Sequence, residues 1–402
     1  MSSNLSLAQG REYLAIPGPS VIPDAVLQAM HRPSPNIYAG ELIKLTVSLL
    51  PDLRRVARTK HNVAIYISNG HGAWEAALAN TIAEGETVLV PASGLFSHGW
   101  AQMVQGLGGN PHLIDFGRRD SWDFDRIASV LQADRNHRIK AVLAVHVDTS
   151  SSIRNNIPAL RKLLDDLEHP ALLMADCIAS LGCDRFEMDD WGVDVTVAAC
   201  QKGLMVPAGL GFVFFNDKAA AKRAQMPRVS RYWDWSPRAN PEVFYQFFGG
   251  TAPTHHLFGL RAALDMIHDE GIEKIWARHA TLARAIWAAC ETWAQEGPLE
   301  MNVANRDMRS NAVTSLRIGA PIGTTLRNYC QTHLGLTLGI GLGMATEDDP
   351  NSDGFFRLGH MGHVNGQMVM GMLGGIETAL SALDIPHGAG ALEAAARAMA
   401  ER

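Results

Sequence analysis

Six short apolar runs, punctuated by turn residues, restrict the fold of this chain more than any other feature. They are VAIYIS (63–68), TVLVPA (87–92), AVLAVHV (141–147), ALLMADC (171–177), DVTVAAC (194–200) and GFVFFN (211–216). Apolar at consecutive positions and rich in β-branched residues, they read as strands buried on both faces. Between several of them, stretches such as 73–83 and 157–167 carry the spacing of amphipathic helices. Strands of this kind alternating with helices predict an α/β protein with a mostly parallel sheet between helical layers. Ligands of such sheets bind beyond the carboxyl ends of the strands. The polar residues just after each run are therefore the first places to look for chemistry.

The rest of the chain changes character. Residues 254–296 read as one long helix, followed by a strand, AVTSLRI (312–318), and a helix. The Gly-rich turn LGIGLG (338–343), the segment FFRLGHM (355–361) and a helical region over about 366–400 follow. This predicts an N-terminal segment (1–25), a large domain (26–265) and a smaller C-terminal α+β domain (266–402). At 402 residues, 47% hydrophobic and 19% charged, the chain can fill two cores. A net charge of −6 provides no general field for nucleic acid or an anionic membrane. No uninterrupted apolar stretch reaches membrane-spanning length, and no leader pattern is visible at the N-terminus. The five cysteines are odd in number and lack CxxC spacing, which favours a reducing, cytoplasmic setting over disulfides or cysteine-bound zinc. His360 and His363, with His255 and His256, lack an acidic or cysteine partner pattern, so no metal is expected.

Three features stand at predicted strand ends. In SNGHGAWEAAL (68–78), glycines follow a strand and open a helix, a place where backbone N–H groups converge on an anion. Asp176 closes the run ALLMADC. Lys202, in CQKGLMVPAGLGFVFF (200–215), sits between apolar runs where an unpaired ammonium is costly to bury. One reading is an ordinary βα turn, a helix cap and a structural lysine. A chemical reading uses all three: pyridoxal 5′-phosphate needs a lysine for its Schiff base, an acid beside its ring nitrogen and an anion site for its phosphate.

SNGHGAWEAAL, ADCIASLG, CQKGLMVPAGLGF, GGTAPTHHLFGLRAAL and FFRLGHMG together resemble, in order and spacing, the class V pyridoxal-phosphate aminotransferases. The likeness runs from IPGPSVIP to about residue 385 and is closest to the serine/alanine–glyoxylate (serine–pyruvate) group. It implies the fold type I architecture and transfer of an amino group from serine, alanine or aspartate to glyoxylate or pyruvate. Lys202 matches the Schiff-base lysine, Gln201 a cofactor-contacting glutamine, Asp176 the pyridinium partner and Ile178 the residue packed on the ring. Asn69, Gly70 and His71 match the phosphate turn, and Thr149 a hydroxyl near the phenolic oxygen. Thr251 matches a phosphate contact donated by the neighbouring subunit, which implies a homodimer. Arg357 matches the arginine for the substrate carboxylate, and the segment near Ser20 lies at the substrate.

The departures from the family pattern concern detail. Phe96 stands where relatives often carry a stacking Trp or Tyr, and Phe248 where a Tyr commonly reaches the partner's phosphate. Ser151-Ser152-Ile153 replaces a frequent Ser-Thr-Gly, which predicts a reshaped loop after Thr149. Residues 228–238, with Arg231 and Arg238, are expected at the mouth of the site. Two alternatives stay open: another class V reaction, such as a cysteine desulfurase (Cys330 would have to be mobile) or a lyase, and a non-catalytic α/β protein.

Overall fold

The computed structural model describes residues 6–346 and 348–401. Its strands are β1 (Tyr13–Ala15), β2 (Asn62–Ser68), β3 (Thr87–Ala92), β4 (Asn110–Asp115), β5 (Ile139–Val145) and β6 (Leu172–Asp176). They continue with β7 (Val195–Ala199), β8 (Gly209–Phe215), β9 (Glu300–Met301), β10 (Val313–Arg317), β11 (Leu336–Ile340) and β12 (Phe355–Gly359). All six apolar runs are strands of one seven-stranded sheet, ordered β2-β8-β7-β6-β5-β3-β4. Only β8 runs antiparallel to its neighbours. Alternate residues enter two different cores: Val142, Ala144, Leu173 and Ala175 lie in one, and Ala141, Leu143, Leu172 and Met174 in the other. That two-sided burial is why these strands lack the apolar–polar alternation of a half-exposed sheet.

The seventh strand, β4, has no apolar run to announce it. Its sequence NPHLID is largely exposed at the sheet edge, where Pro111 leaves no ladder hydrogen bond missing from the interior. A second, five-stranded sheet is ordered β1-β11-β12-β10-β9 and is antiparallel apart from the β1–β11 pair. Here the expected turn 338–343 is in its first half a strand, β11, paired with Arg357 and Phe356 of β12.

The single helix expected over 254–296 is two helices, Thr254–Glu270 and Ile272–Trp293. Gly271 separates them at φ 86, a left-handed conformation that side-chain-bearing residues resist. The terminal helical region likewise divides into Gly366–Ala382 and Ala391–Ala400. The large-domain core continues through Ile267, Ile272 and Trp276, and the small-domain core begins at Leu282 and includes Ala15. We therefore place the division between domains inside the helix Ile272–Trp293, with β1 belonging to the small sheet. None of the helices among the described residues is long and apolar enough to cross a membrane.

Candidate active site

Nine of the candidates on the large domain follow the carboxyl ends of strands of the large sheet. Asn69, Gly70 and His71 follow β2, Phe96 follows β3, Thr149 follows β5, Asp176 ends β6 with Ile178 beyond it, and Gln201 and Lys202 follow β7. These nine residues line one cavity, together with Gly18, Pro19, Trp74, Val147, Ala179 and Ala208. The sheet thus gathers into one crevice residues spread over more than a hundred positions, as the strand-end rule requires.

The anion turn is built by the helix Gly70–Thr81. Asn69 caps it, its side-chain oxygen accepting from the Gly72 N–H at 3.3 Å. First-turn N–H groups have no carbonyl partner within the helix and carry its positive dipole end, so the turn suits a phosphate. Gly70 lets Ile178 pack against the turn, because a Cβ there would lie 2.5 Å from Ile178 Cδ1 and would push that side chain aside.

Asp176 sits 3% exposed at the cavity floor. Its Oδ1 accepts from the Ile178 N–H at 2.7 Å and its Oδ2 from the Trp74 indole N–H at 3.0 Å. Burial pushes its carboxyl up to about 7, against the pull of those two donors. Burial, reinforced by the nearby Arg357 charge, brings the Lys202 ammonium down to about 8, while Asp176 acts the other way. The Lys202 ammonium donates to the carbonyl of Pro17. Gly18 packs so tightly on that side chain that a Cβ would stand 2.4 Å from Nζ, and its φ is +101. Gly18→Ala is expected to destabilise the protein by about 2–4 kcal/mol from strain and overpacking together. A thermal melt with and without cofactor checks this, and the deficit should be larger in the loaded protein.

Arg357 reaches the site from β12 of the small domain, 6% exposed. Its Nε donates to the Ile340 carbonyl at 2.6 Å and its Nη1 to the Thr149 carbonyl at 2.8 Å. Both acceptors are neutral, so the guanidinium is oriented yet keeps its charge for a ligand; among the described residues no carboxylate is bonded to it.

Other expectations need correction. Ser20 does not face the cavity: its hydroxyl donates to the Lys202 carbonyl at 2.7 Å and its N–H to the Gln201 carbonyl at 2.9 Å. It braces the lysine segment, while Gly18 and Pro19 line the cavity. Arg238 is not at the mouth but 1% exposed, donating to the carbonyls of Ile65, Phe247 and Tyr232. Phe248 is wholly buried against Phe244 and Phe247, so its missing hydroxyl belongs to a core position. In the loop after Thr149 the left-handed residue is Ser152, at φ 63, and Ile153 is core. Thr251 lies exposed and outside the cavity lining of its own chain.

Two residues escaped the sequence reading. Trp74 falls in the amphipathic stretch 73–83 without a role of its own, although its spacing from His71 places both on one helix face. Asp148 is fully buried, and its Oδ2 caps the helix Leu95–Gly106 by accepting from Phe96 N at 2.9 Å and Ser97 N at 3.3 Å. The carboxylate one residue before Thr149, in DTSSS, was its only signal.

The cavity also has a place for a bound group. Gln201 Oε1, in its wall, is a buried acceptor without a partner. With a lysine of lowered proton affinity, a dry carboxylate and an anion turn, the donor set fits pyridoxal phosphate.

Comparison with known proteins agrees. Residues 13–295 match the family model Aminotransferase class-V. The serine–glyoxylate aminotransferases of Arabidopsis thaliana and Methylorubrum extorquens are 34% and 35% identical to this chain, covering 94% and 92% of it and 92% and 91% of their own lengths. The L-aspartate–glyoxylate aminotransferase of Paracoccus denitrificans is 31% identical over 95% of the chain and 94% of its own length. The crystal structure of ureidoglycine–glyoxylate aminotransferase from Bacillus subtilis shares the fold, with a TM-score of 0.87 at 23% identity over 98% of this chain and 100% of that one. Family model and near-full-length relatives thus meet the chemistry read from the cavity, and the chain belongs to the class V aminotransferases, transaminases that depend on pyridoxal phosphate.

Proposed function

We propose that this transaminase moves the amino group of a small neutral amino acid, serine or alanine, to glyoxylate or pyruvate in two alternating half-reactions. The carrying observation is Arg357, a buried guanidinium oriented by two neutral carbonyls, those of Ile340 and of Thr149 in the cavity wall, with no carboxylate bonded to it among the described residues. It suits one substrate carboxylate, bound in bidentate fashion. Two of the relatives are serine–glyoxylate aminotransferases, at 34% and 35% identity against 31% for the L-aspartate–glyoxylate enzyme, which favours serine as the donor. The names of the relatives support glyoxylate as acceptor.

The roles follow from position. Lys202 holds the cofactor and, once released, its Nζ takes the proton from the substrate Cα; burial and the Arg357 charge favour its neutral form. Asp176 holds a proton at the ring nitrogen, Asn69, Gly70 and His71 hold the phosphate, and Phe96 and Ile178 enclose the ring. Thr149 and Gln201 supply polar contacts at its edge. When bound, the cofactor supplies an electron sink for charge developing at the substrate Cα. Thr251, exposed and outside the cavity of its own chain, would complete the phosphate site of a second copy in a homodimer. Five buried free thiols support a reducing, cytoplasmic setting.

Adding amino acids singly to the loaded enzyme tests the reading. Loss of the cofactor's visible absorbance with one donor, and its return with glyoxylate, is the expected result. Keto acid released without any acceptor would instead mean a lyase. A desulfurase is disfavoured because Cys330 is wholly buried in a helix and its thiol is pushed up to about 12. Arg357→Gln is expected to lower kcat/KM for the donor about 10²-fold while cofactor affinity holds, measured by steady-state kinetics and cofactor titration.

A further inference from the structure

We infer that Trp74 is a positioning residue that keeps the carboxylate of Asp176 ionised, and so keeps the proton on the cofactor's ring nitrogen. The inference rests on Asp176 being the partner of that nitrogen.

The geometry leaves the indole one role. Trp74 lies one turn along the helix whose N-terminus forms the anion turn, on the same face as His71. Its ring meets His71 edge-on at 4.7 Å, meets Phe96 edge-on at 6.2 Å and stacks on Trp100 at 5.8 Å with an interplanar angle of 14°. Held from these sides and 1% exposed, it directs its N–H at Asp176 Oδ2. One short helix therefore carries both the phosphate arm and, a turn later, the support for the ring-nitrogen arm.

An indole N–H only donates and bears no charge in the working pH range, so it stabilises the ionised acid and offers nothing to the protonated one. The Ile178 N–H also favours the anion, but it is bonded to Oδ1, so Oδ2 has the indole as its donor and the remaining neighbours do not replace it. Lys202 also favours the anion but is engaged in the reaction, and Asp148 opposes it. The adjacent Cys177 thiol is held protonated by burial, and burial likewise favours neutral His71. Without the indole donor, the carboxylate gains proton affinity and competes with the ring nitrogen for the shared proton. The electron sink is then weakened although no substrate contact has changed.

The test compares Trp74→Phe, which keeps an aromatic ring but drops the N–H, with Trp100→Phe. Trp100 is as buried, and its own indole N–H has no partner, so it controls for packing. In cofactor-free protein with ¹³C-labelled aspartate, the Asp176 signal is identified by its loss in Asp176→Asn. Trp74→Phe is expected to raise the Asp176 titration midpoint by about one pH unit, a tenfold gain in proton affinity, and Trp100→Phe to leave it in place. In the loaded enzyme Trp74→Phe should lower kcat about tenfold with the donor KM unchanged. Should Trp74→Phe fail to fold, the indole ¹⁵N–¹H signal of Trp74 in the unaltered protein should move with the Asp176 titration, and that of Trp100 should not. An unmoved midpoint, equal shifts in both variants, or an indole signal blind to Asp176 overturns the inference. An Asp176→Asn enzyme of full activity would overturn the ring-nitrogen assignment instead, so the two failures are distinguishable.

Discussion

Lys202→Ala abolishes turnover, with a loss of at least about 10⁴-fold, and removes the visible absorbance that depends on the covalent lysine. The size follows from two functions residing on one nitrogen: attachment of the cofactor and movement of the Cα proton. No other wall group can do both: the only other basic side chain in the lining is His71, assigned to the phosphate turn, and an imidazole does not form the covalent link of a primary amine. Cofactor should still bind without the covalent link, since the anion turn and Asp176 are untouched. A small primary amine added to the medium should restore a measurable part of the rate, because the missing group is a base at a known place. Single-turnover kinetics, with and without the amine, checks both points. Turnover within tenfold of the original would remove Lys202 from the mechanism.

Asp176→Asn is expected to lower kcat about 10³-fold, because a buried charge beside the ring nitrogen loses its counter-ion. The same change has a second signature in the cofactor-free protein. Asp176 would lose its proton near 3.8 when unfolded, whereas burial delays that loss in the folded protein to about 7. Between these values the folded state holds the extra proton, so stability falls as pH rises. This contribution is highest below the unfolded value, declines by up to about 1.4 kcal/mol per pH unit, and levels off above 7. Asparagine has no proton to lose. The difference in unfolding free energy between the original protein and Asp176→Asn should therefore slope between pH 4 and 7 and be flat at pH 8. A flat difference throughout would mean that Asp176 is ionised without cost, and the dry carboxylate would have to be abandoned. The pH dependence is the price of keeping this carboxylate out of water, where it faces the ring nitrogen and not solvent.

Much of the site was legible because strand-end positions are announced locally. A run such as ALLMADC carries a single carboxylate near its end, and Lys202 is the only charge in CQKGLMVPAGLGFVFF, so pattern alone singled out Asp176 and Lys202. Ser20 and Trp74 show the limit. Both belong to ordinary local sequence, and their roles come from partners 182 and 102 positions away. Arg238 failed for the same reason: an arginine among aromatics reads as surface, but three carbonyls from separate segments make its burial tolerable.

Sequence by itself determined the α/β class, six strands of the large sheet and the reactive groups at their ends. Each of those rests on periodicity and burial within a few consecutive residues. Tertiary structure alone decided that β1 pairs with β11, that the long helix breaks at Gly271 while the change of core falls further on, between Trp276 and Leu282, and that Arg357 is aimed by Thr149 and Ile340. It also decided that Trp74 braces Asp176. Pairings across long stretches of chain leave no periodic trace, because the residues that choose them are selected by what lies opposite and not by what lies beside them.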